Sequence, residues 1–252
     1  IFKMKLTILG SGTAVPLLNR NCAGYLIEAE NTKLLFDSGA GTIRRLAEVR
    51  INLFDINHIF YTHLHNDHIN DLGAIIWSNN YGGIRKKALN LYGPEGFKNY
   101  INILIKKLLK PHKLNFRINL KELRNSIIKI RNVTIKTSPT KHSTTTKSIT
   151  YRIEHQNKSL VYTGDTDYCS ETIQAAKNTD VLLIECSFPD NKRIEGHLTP
   201  SLAGRIASKA KVKRLILTHF YPEALKADIK KQCEKVFKRE IILARDKMKI
   251  NI

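Results

Sequence analysis

The chain has 252 residues, with 42 Lys and Arg against 22 Asp and Glu, a formal net charge of +20. That length gives ample core for an α/β domain, and 42 % hydrophobic with 25 % charged residues is an ordinary globular composition. Disorder, a collagen-like repeat and a small disulfide scaffold are excluded, and with no run of ~18 apolar residues so is a membrane-spanning helix.

The positive charge points to an anionic partner, with RNA or single-stranded nucleic acid as the macromolecular candidates. Twelve Lys or Arg and one acid, Glu122, fall in Lys98–Lys141, so over half of the excess lies there. Cys22, Cys169, Cys186 and Cys233 are scattered without a C-x-x-C pair, which suggests reduced thiols and a cytoplasmic protein. The opening residues read as a strand rather than a signal peptide, and Met4 reads as a natural start with residues 1–3 extraneous. No repeat or linker interrupts the sequence, so residues 1–252 are expected to form a single domain.

Short apolar or β-branched runs predict strands at Lys5–Gly10, Tyr25–Ala29 and Lys33–Phe36, with a helix over Thr42–Val49. A buried strand is expected at Ile56–Thr62 and a helix over Asp67–Ser78. Leu89–Tyr92 reads as a strand, and Pro94 as the opening of a helix over Glu95–Leu109. The middle is strand-rich: Phe116–Leu120, Ile127–Ile130 and Val133–Ser138, then a hairpin of Thr150–Glu154 and Ser159–Thr163. Beyond it, helices alternate with short strands at Val181–Glu185, Leu215–Thr218 and Ile241–Ala244, with a helix over Pro200–Lys209. Strand-rich stretches broken by helices in both halves predict a layered α/β sandwich.

Between the strand ending at Thr62 and the next helix lies His63-Leu64-His65-Asn66-Asp67-His68. In extended backbone His63 and His65 point the same way and can share one ion, while Asp67 and His68 open the helix and can serve another. Imidazole with carboxylate suits Zn²⁺, with Mn²⁺ or Fe as alternatives. Three further candidates stand at strand ends: His142 in a loop after a β-rich run, and Asp165 and His219 just past apolar strands. Gly10-Ser11-Gly12-Thr13-Ala14-Val15 lacks the third glycine of a dinucleotide loop and reads as a tight turn. Cys22 and Cys186 read as small buried hydrophobes.

In these residues the chain resembles the metallo-β-lactamase superfamily, whose mark is H-x-H-x-D-H followed by distant His, Asp and His. The resemblance spans essentially the whole chain and implies a four-layer αβ/βα sandwich with two metals in the cleft between the sheets. By it, His63, His65 and His142 would hold one ion, Asp67, His68 and His219 the other, and Asp165 would bridge them. The ribonuclease Z and phosphodiesterase branch is most similar, through Leu6–Thr13, Pro16–Asn21, Ile184–Phe188 and Gly196–Thr199. That branch implies two Zn²⁺ and a metal-bridging hydroxide, with Asp67 and His197 as catalytic residues and His197 supplying the leaving oxygen's proton. Arg20, Asn21 and Lys141 are the candidate substrate contacts, and Asp37 is a candidate carboxylate behind the ligating histidines.

Several positions depart from ribonuclease Z: Leu18 for a lysine, Ser38 and Ala40 for Cys and Glu, and Asn66 for Gly. The stretch between His142 and Asp165 has room for the hairpin but not for a tRNA-binding arm. The expectation is an armless metal-dependent phosphodiesterase or ribonuclease acting on an anionic phosphodiester away from membranes, with a homodimer implied by the branch. A β-lactamase, lactonase or thioesterase on the same residues is the alternative. A non-catalytic RNA-binding module is disfavoured by the intact seven-residue set.

Overall fold

The computed structural model describes residues 4–83 and 85–252. Residues 1–3, on which the reading of Met4 as a start turns, lie outside the described residues. The first sheet takes β1 (Lys5–Gly10), β2 (Gly24–Ala29), β3 (Thr32–Ser38), β4 (His58–Phe60), β5 (Leu89–Gly93) and β6 (Ile118–Glu122). The last strand of the chain, β14 (Lys249–Asn251), joins it beside β1, giving the order β14-β1-β2-β3-β4-β5-β6. The second sheet holds β7 (Ile127–Ile130), β8 (Val133–Thr140), β9 (Ser148–His155), β10 (Lys158–Tyr162), β11 (Val181–Glu185), β12 (Arg214–Thr218) and β13 (Glu240–Leu243). Its order is β13-β12-β11-β10-β9-β8-β7.

Each sheet is antiparallel on one side and parallel on the other: β3 to β6 in the first, β10 to β13 in the second. Side chains alternate along these strands, as a period of two requires. In β3, Leu34 and Phe36 enter the core between the sheets, while Leu35 faces the outer helices. Those helices are α1 (Thr42–Glu48), α2 (Asn66–Ile69), α3 (Leu72–Tyr81) and α4 (Phe97–Ile103). They pack on the first sheet through Leu46, Leu72, Ile75, Phe97 and Ile101. On the second sheet lie α5 (Ser170–Ala175), α6 (Pro200–Lys209) and α8 (Ile229–Glu234), with the single turn α7 (Pro222–Leu225) after β12. The four layers expected from the sequence are therefore present.

An aromatic layer fills the space between the sheets. Phe36 stacks on Phe60 at 4.9 Å, Phe60 on Tyr92 at 4.3 Å, and Tyr151 meets Phe36 edge-on at 5.2 Å. Truncating such a buried ring costs about 3–5 kcal/mol. Three buried tyrosines turn their hydroxyls to polar partners: Tyr25 to Thr218, Tyr151 to the Tyr61 carbonyl, and Tyr162 to Asp37.

Three elements differ from the sequence reading, two of them through contacts between residues distant in sequence. The expected strand to Thr62 leaves the ladder after Phe60, because Asp37 captures the Thr62 backbone N–H at 2.8 Å and turns the chain. The expected helix over Asp67–Ser78 is two helices, and Asp71 at the break accepts backbone N–H groups of Gly41 and Ile43. The helix expected from Glu95 begins at Phe97, after Gly96 at φ 91°, and its last turns, Leu104–Leu109, are wound as a π-helix. At the other end of the chain, Asp246 accepts from Ser11 N at 3.0 Å, from Asn21 N at 2.7 Å and from Arg45, so it ties the loop after β1 to the C-terminal segment.

Candidate metal centre

Parallel strands of both sheets, with the antiparallel β8, deliver their ends to one cleft. His63 and His65 follow β4, and Asp67 and His68 lie in α2. His142, Asp165 and His219 stand directly after β8, β10 and β12. Ligand-capable atoms of His63, His65, His142 and Asp165 converge within 4.8 Å of one another, and so do those of Asp67, His68 and His219. All seven candidates from the sequence are thus brought together, in the two expected groups. Asp165 faces both. Its Oδ1 lies 3.3 Å from His68 Nε2 and 3.4 Å from His219 Nε2, and its Oδ2 lies 3.8 Å from His63 Nε2 and 3.9 Å from His142 Nε2.

The nitrogen each histidine offers is set by what its other nitrogen does. His68 Nδ1 donates to Asp37 Oδ2 at 2.7 Å, and His142 Nδ1 donates to the Gly196 carbonyl at 2.8 Å. Thr62 Oγ1 gives its proton to Asp37, so it accepts from His63 Nδ1 at 3.0 Å. Ser187 Oγ gives its proton to Glu185 and accepts from His219 Nδ1 at 3.0 Å. These four rings therefore present Nε2, whereas His65 turns Nδ1 to within 3.1 Å of His142 Nε2.

These residues fit a divalent cation. Among the described residues, His63 Nε2 and Asp165 Oδ1 are buried without a hydrogen-bond partner, a costly arrangement unless something binds them. Ring nitrogens of His68 and His219 face each other at 3.3 Å, and the donor set is imidazole and carboxylate. Burial depresses the His63 and His65 pKa values, favouring neutral imidazole. Burial raises Asp67, but its hydrogen bond from His219 and the neighbouring His68 outweigh this and hold it at about 2. At His68 burial is overridden in the other direction, by the carboxylates of Asp165 and Asp37.

His197 completes the wall. Its Nδ1 donates to Glu185 Oε1 at 3.0 Å and lies 4.0 Å from Asp165, with Nε2 making no hydrogen bond among the described residues. Burial lowers its pKa, but the charge and hydrogen bond of Glu185 prevail and raise it to about 9. Asp37, at φ 54°, and His219, at φ 58°, both occupy the left-handed region at strand ends. Such backbone costs about 1–3 kcal/mol and persists where the surroundings over-determine it, as here.

The candidate substrate contacts divide. Lys141 borders a cavity of about 730 Å³ that opens beside His65 and His142 and is also rimmed by Glu95, Arg124 and Lys147. Arg20 and Asn21 are engaged within the protein and belong to neither ligand group. Arg20 donates to Ser11 Oγ and the Ala244 carbonyl and lies over the Phe220 ring, while Asn21 donates to the Gly41 carbonyl. Sequence reasoning gave no role to Glu185, Ser187, Tyr162 or Asp167. Of these Glu185 and Ser187 carried a signal, inside the Ile184–Phe188 segment of the resemblance, and Glu185 also as a lone acid ending the apolar run Val-Leu-Leu-Ile.

The family described as anti-Pycsar protein Apyc1 matches residues 4–242. The chain belongs to that family. Among curated relatives, ribonuclease Z of Methanosarcina mazei is 26 % identical, covering 99 % of this chain and 98 % of that protein. Ribonuclease Z of Mycolicibacterium gilvum is 29 % identical, covering 87 % of this chain and 85 % of that one. The metallo-β-lactamase fold protein YhfI of Bacillus subtilis superposes with a TM-score of 0.88 at 24 % identity, covering 100 % of both chains. The short form of human tRNase Z gives 0.80 at 24 % identity, covering 98 % of each. The fold is the metallo-β-lactamase fold, and the chain is a ribonuclease Z-like, metal-dependent hydrolase.

Proposed function

We propose that residues 1–252 form one hydrolase domain that cleaves an anionic phosphodiester at a two-ion centre in the cytoplasm. One observation carries the reading: the two oxygens of Asp165 face separate histidine groups, which suits a carboxylate shared by two cations. Two divalent ions held there, zinc by the donor set, would supply hydroxide at neutral pH and neutralise charge on phosphate. His63, His65 and His142 with Asp165 would form one set, and Asp67, His68 and His219 with Asp165 the other.

The chain's own groups do the rest. Asp67, ionised and at the edge of the cleft, orients the attacking water. His197 presents Nε2 and gives its proton to the leaving oxygen, while Glu185 keeps its Nδ1 protonated and its ring fixed. Lys141, Lys147 and Arg124 at the cavity rim attract the anion, an effect that salt weakens. Arg20 and Asn21 act as braces of the loop after β1. Between His142 and Asp165 the chain holds only the β9–β10 hairpin and its flanking loops. That favours a small or single-stranded phosphodiester over folded tRNA, although the curated relatives are ribonuclease Z. The family's name is that of an antagonist, and hydrolytic removal of a phosphodiester is chemistry by which this site can antagonise.

The test is a metal analysis followed by one assay panel: precursor tRNA, single-stranded RNA, small cyclic and linear nucleotide phosphodiesters, and a chromogenic β-lactam. About two zinc-like ions per chain and turnover of the small or single-stranded phosphodiesters are expected. One ion or none refutes the two-ion reading, and turnover of the β-lactam alone moves the chain to the other class of hydrolase.

A further inference from the structure

We propose that Asp167 is a positioning residue that sets both His142 and His197 through one loop, residues 193–197. The inference rests on reading His142 as a metal ligand. Asp167 is 1 % exposed and belongs to none of the metal-capable groups. Its Oδ2 accepts from Gly196 N at 3.1 Å, and its Oδ1 accepts from Tyr168 N at 2.6 Å and from Arg193 at 3.2 Å. The carbonyl of the same Gly196 is the acceptor for His142 Nδ1. One residue is therefore gripped by Asp167 through its N–H, and through its carbonyl it selects the tautomer and tilt of His142.

The loop admits no easy substitute for this arrangement. Gly196 has φ 83°, and a Cβ there would sit 2.3 Å from the His142 carbonyl oxygen. Only a bare glycine backbone can come so close. His197 is the next residue, so the segment that orients the ligand also delivers the candidate acid to Glu185. Asp167 further donates its own N–H to the Lys141 carbonyl, one residue before His142. Three site-bearing segments, around residues 141, 166 and 196, thus meet at one residue, the first through the Asp167 backbone N–H and the last through its carboxylate.

An amide in place of this carboxylate would turn an N–H₂ toward either Gly196 N–H or Tyr168 N–H, where only an acceptor serves. Asp167→Asn should therefore release the loop without emptying space. The experiment is zinc titration against a chromophoric chelator, with imidazole N–H resonances followed by NMR in metal-free protein. His142→Ala should weaken one of two zinc sites by at least ~100-fold. Asp167→Asn should weaken that same site about 10–100-fold, leave the other unchanged, and abolish the His142 Nδ1–H resonance. With the metals saturating, its kcat should fall at nearly constant KM.

A lower melting temperature with both zinc affinities and the His142 resonance intact would make Asp167 merely structural and overturn the proposal. Should His142→Ala keep both sites, the ligand reading fails, and the proposal with it. If Asp167→Asn does not fold, Arg193→Met removes only the 59 % exposed partner of Asp167. That variant should weaken the same zinc site about 2–5-fold, and no change there would equally overturn the idea.

Discussion

Two buried carboxylates, one per sheet, stand behind the centre and differ in what they support. Asp37, in β3, accepts from Thr62 N, Thr62 Oγ1, His68 Nδ1 and Tyr162 OH at 2.6–2.8 Å. Glu185, ending β11, accepts from Thr166 N, Leu198 N, Ser187 Oγ and His197 Nδ1. Asp37 touches His68, a candidate ligand, directly and also turns the chain into the loop that carries His63 and His65. Glu185 reaches His219, another candidate ligand, only through Ser187, and spends its direct contact on His197. In the proposed mechanism the first sheet's acid would serve metal retention, and the second's would serve the proton.

If that division holds, His197→Ala has the largest kinetic effect: kcat should fall about 10²–10⁴-fold with zinc content unchanged, as read by turnover and metal analysis. Glu185→Gln should follow it in kind at smaller size, again with the metals retained. Zinc loss from Glu185→Gln would break the comparison. Asp37→Asn should do the reverse, weakening zinc about 10–100-fold in chelator competition, with activity restored by excess metal. Tyr162→Phe removes one donor to the Asp37 carboxylate and should cost about 1.5–3 kcal/mol in denaturant unfolding, with a few-fold loss of zinc affinity.

The smallest effect lies at the far end of β4 and separates acid sensitivity of the scaffold from that of the centre. Burial, then the charges of Arg85 and Arg131, push His58 down to about 4. The unfolded chain titrates near 6.5, so between these values it binds the extra proton. His58 thus contributes stability that is complete above pH ~6.5 and lost as pH falls toward 4. In metal-free protein, His58→Asn should show a shallower fall of melting temperature between pH 7 and pH 4.5 than the parent chain.

What was legible in the sequence had contiguous or strand-end character. His63 to His68 is one short run, and His142, Asp165 and His219 each follow a strand, which marked them as candidates that the resemblance then joined into one set. Strand positions survived because alternation along β3 or β11 is a local property. The carboxylate partners were harder to read. Asp37 meets Tyr162 across 125 positions, and Asp167 meets Gly196 across 29, contacts that have no periodicity to detect. Helix ends failed for the same reason: Asp71 breaks its helix because Gly41 and Ile43, at the start of the remote helix α1, need an acceptor. The braces Arg20 and Asn21 owe their partners to Ala244 and Asp246, at the opposite end of the chain.

The pairing of β14 with β1 has a kinetic consequence. Lys5 lies opposite Asn251, so the first sheet closes only when the chain through residue 251 is present. The second sheet draws on β7 to β13 and can assemble earlier during synthesis, although it carries only three of the seven candidate ligands, His142, Asp165 and His219. Such long-range closure is slow, because the entropy of joining distant segments is spent before their contacts form. During translation, therefore, this edge of β1 stays open until β14 emerges, and a nascent chain stalled before residue 249 should be captured by chaperones or pair with another copy there.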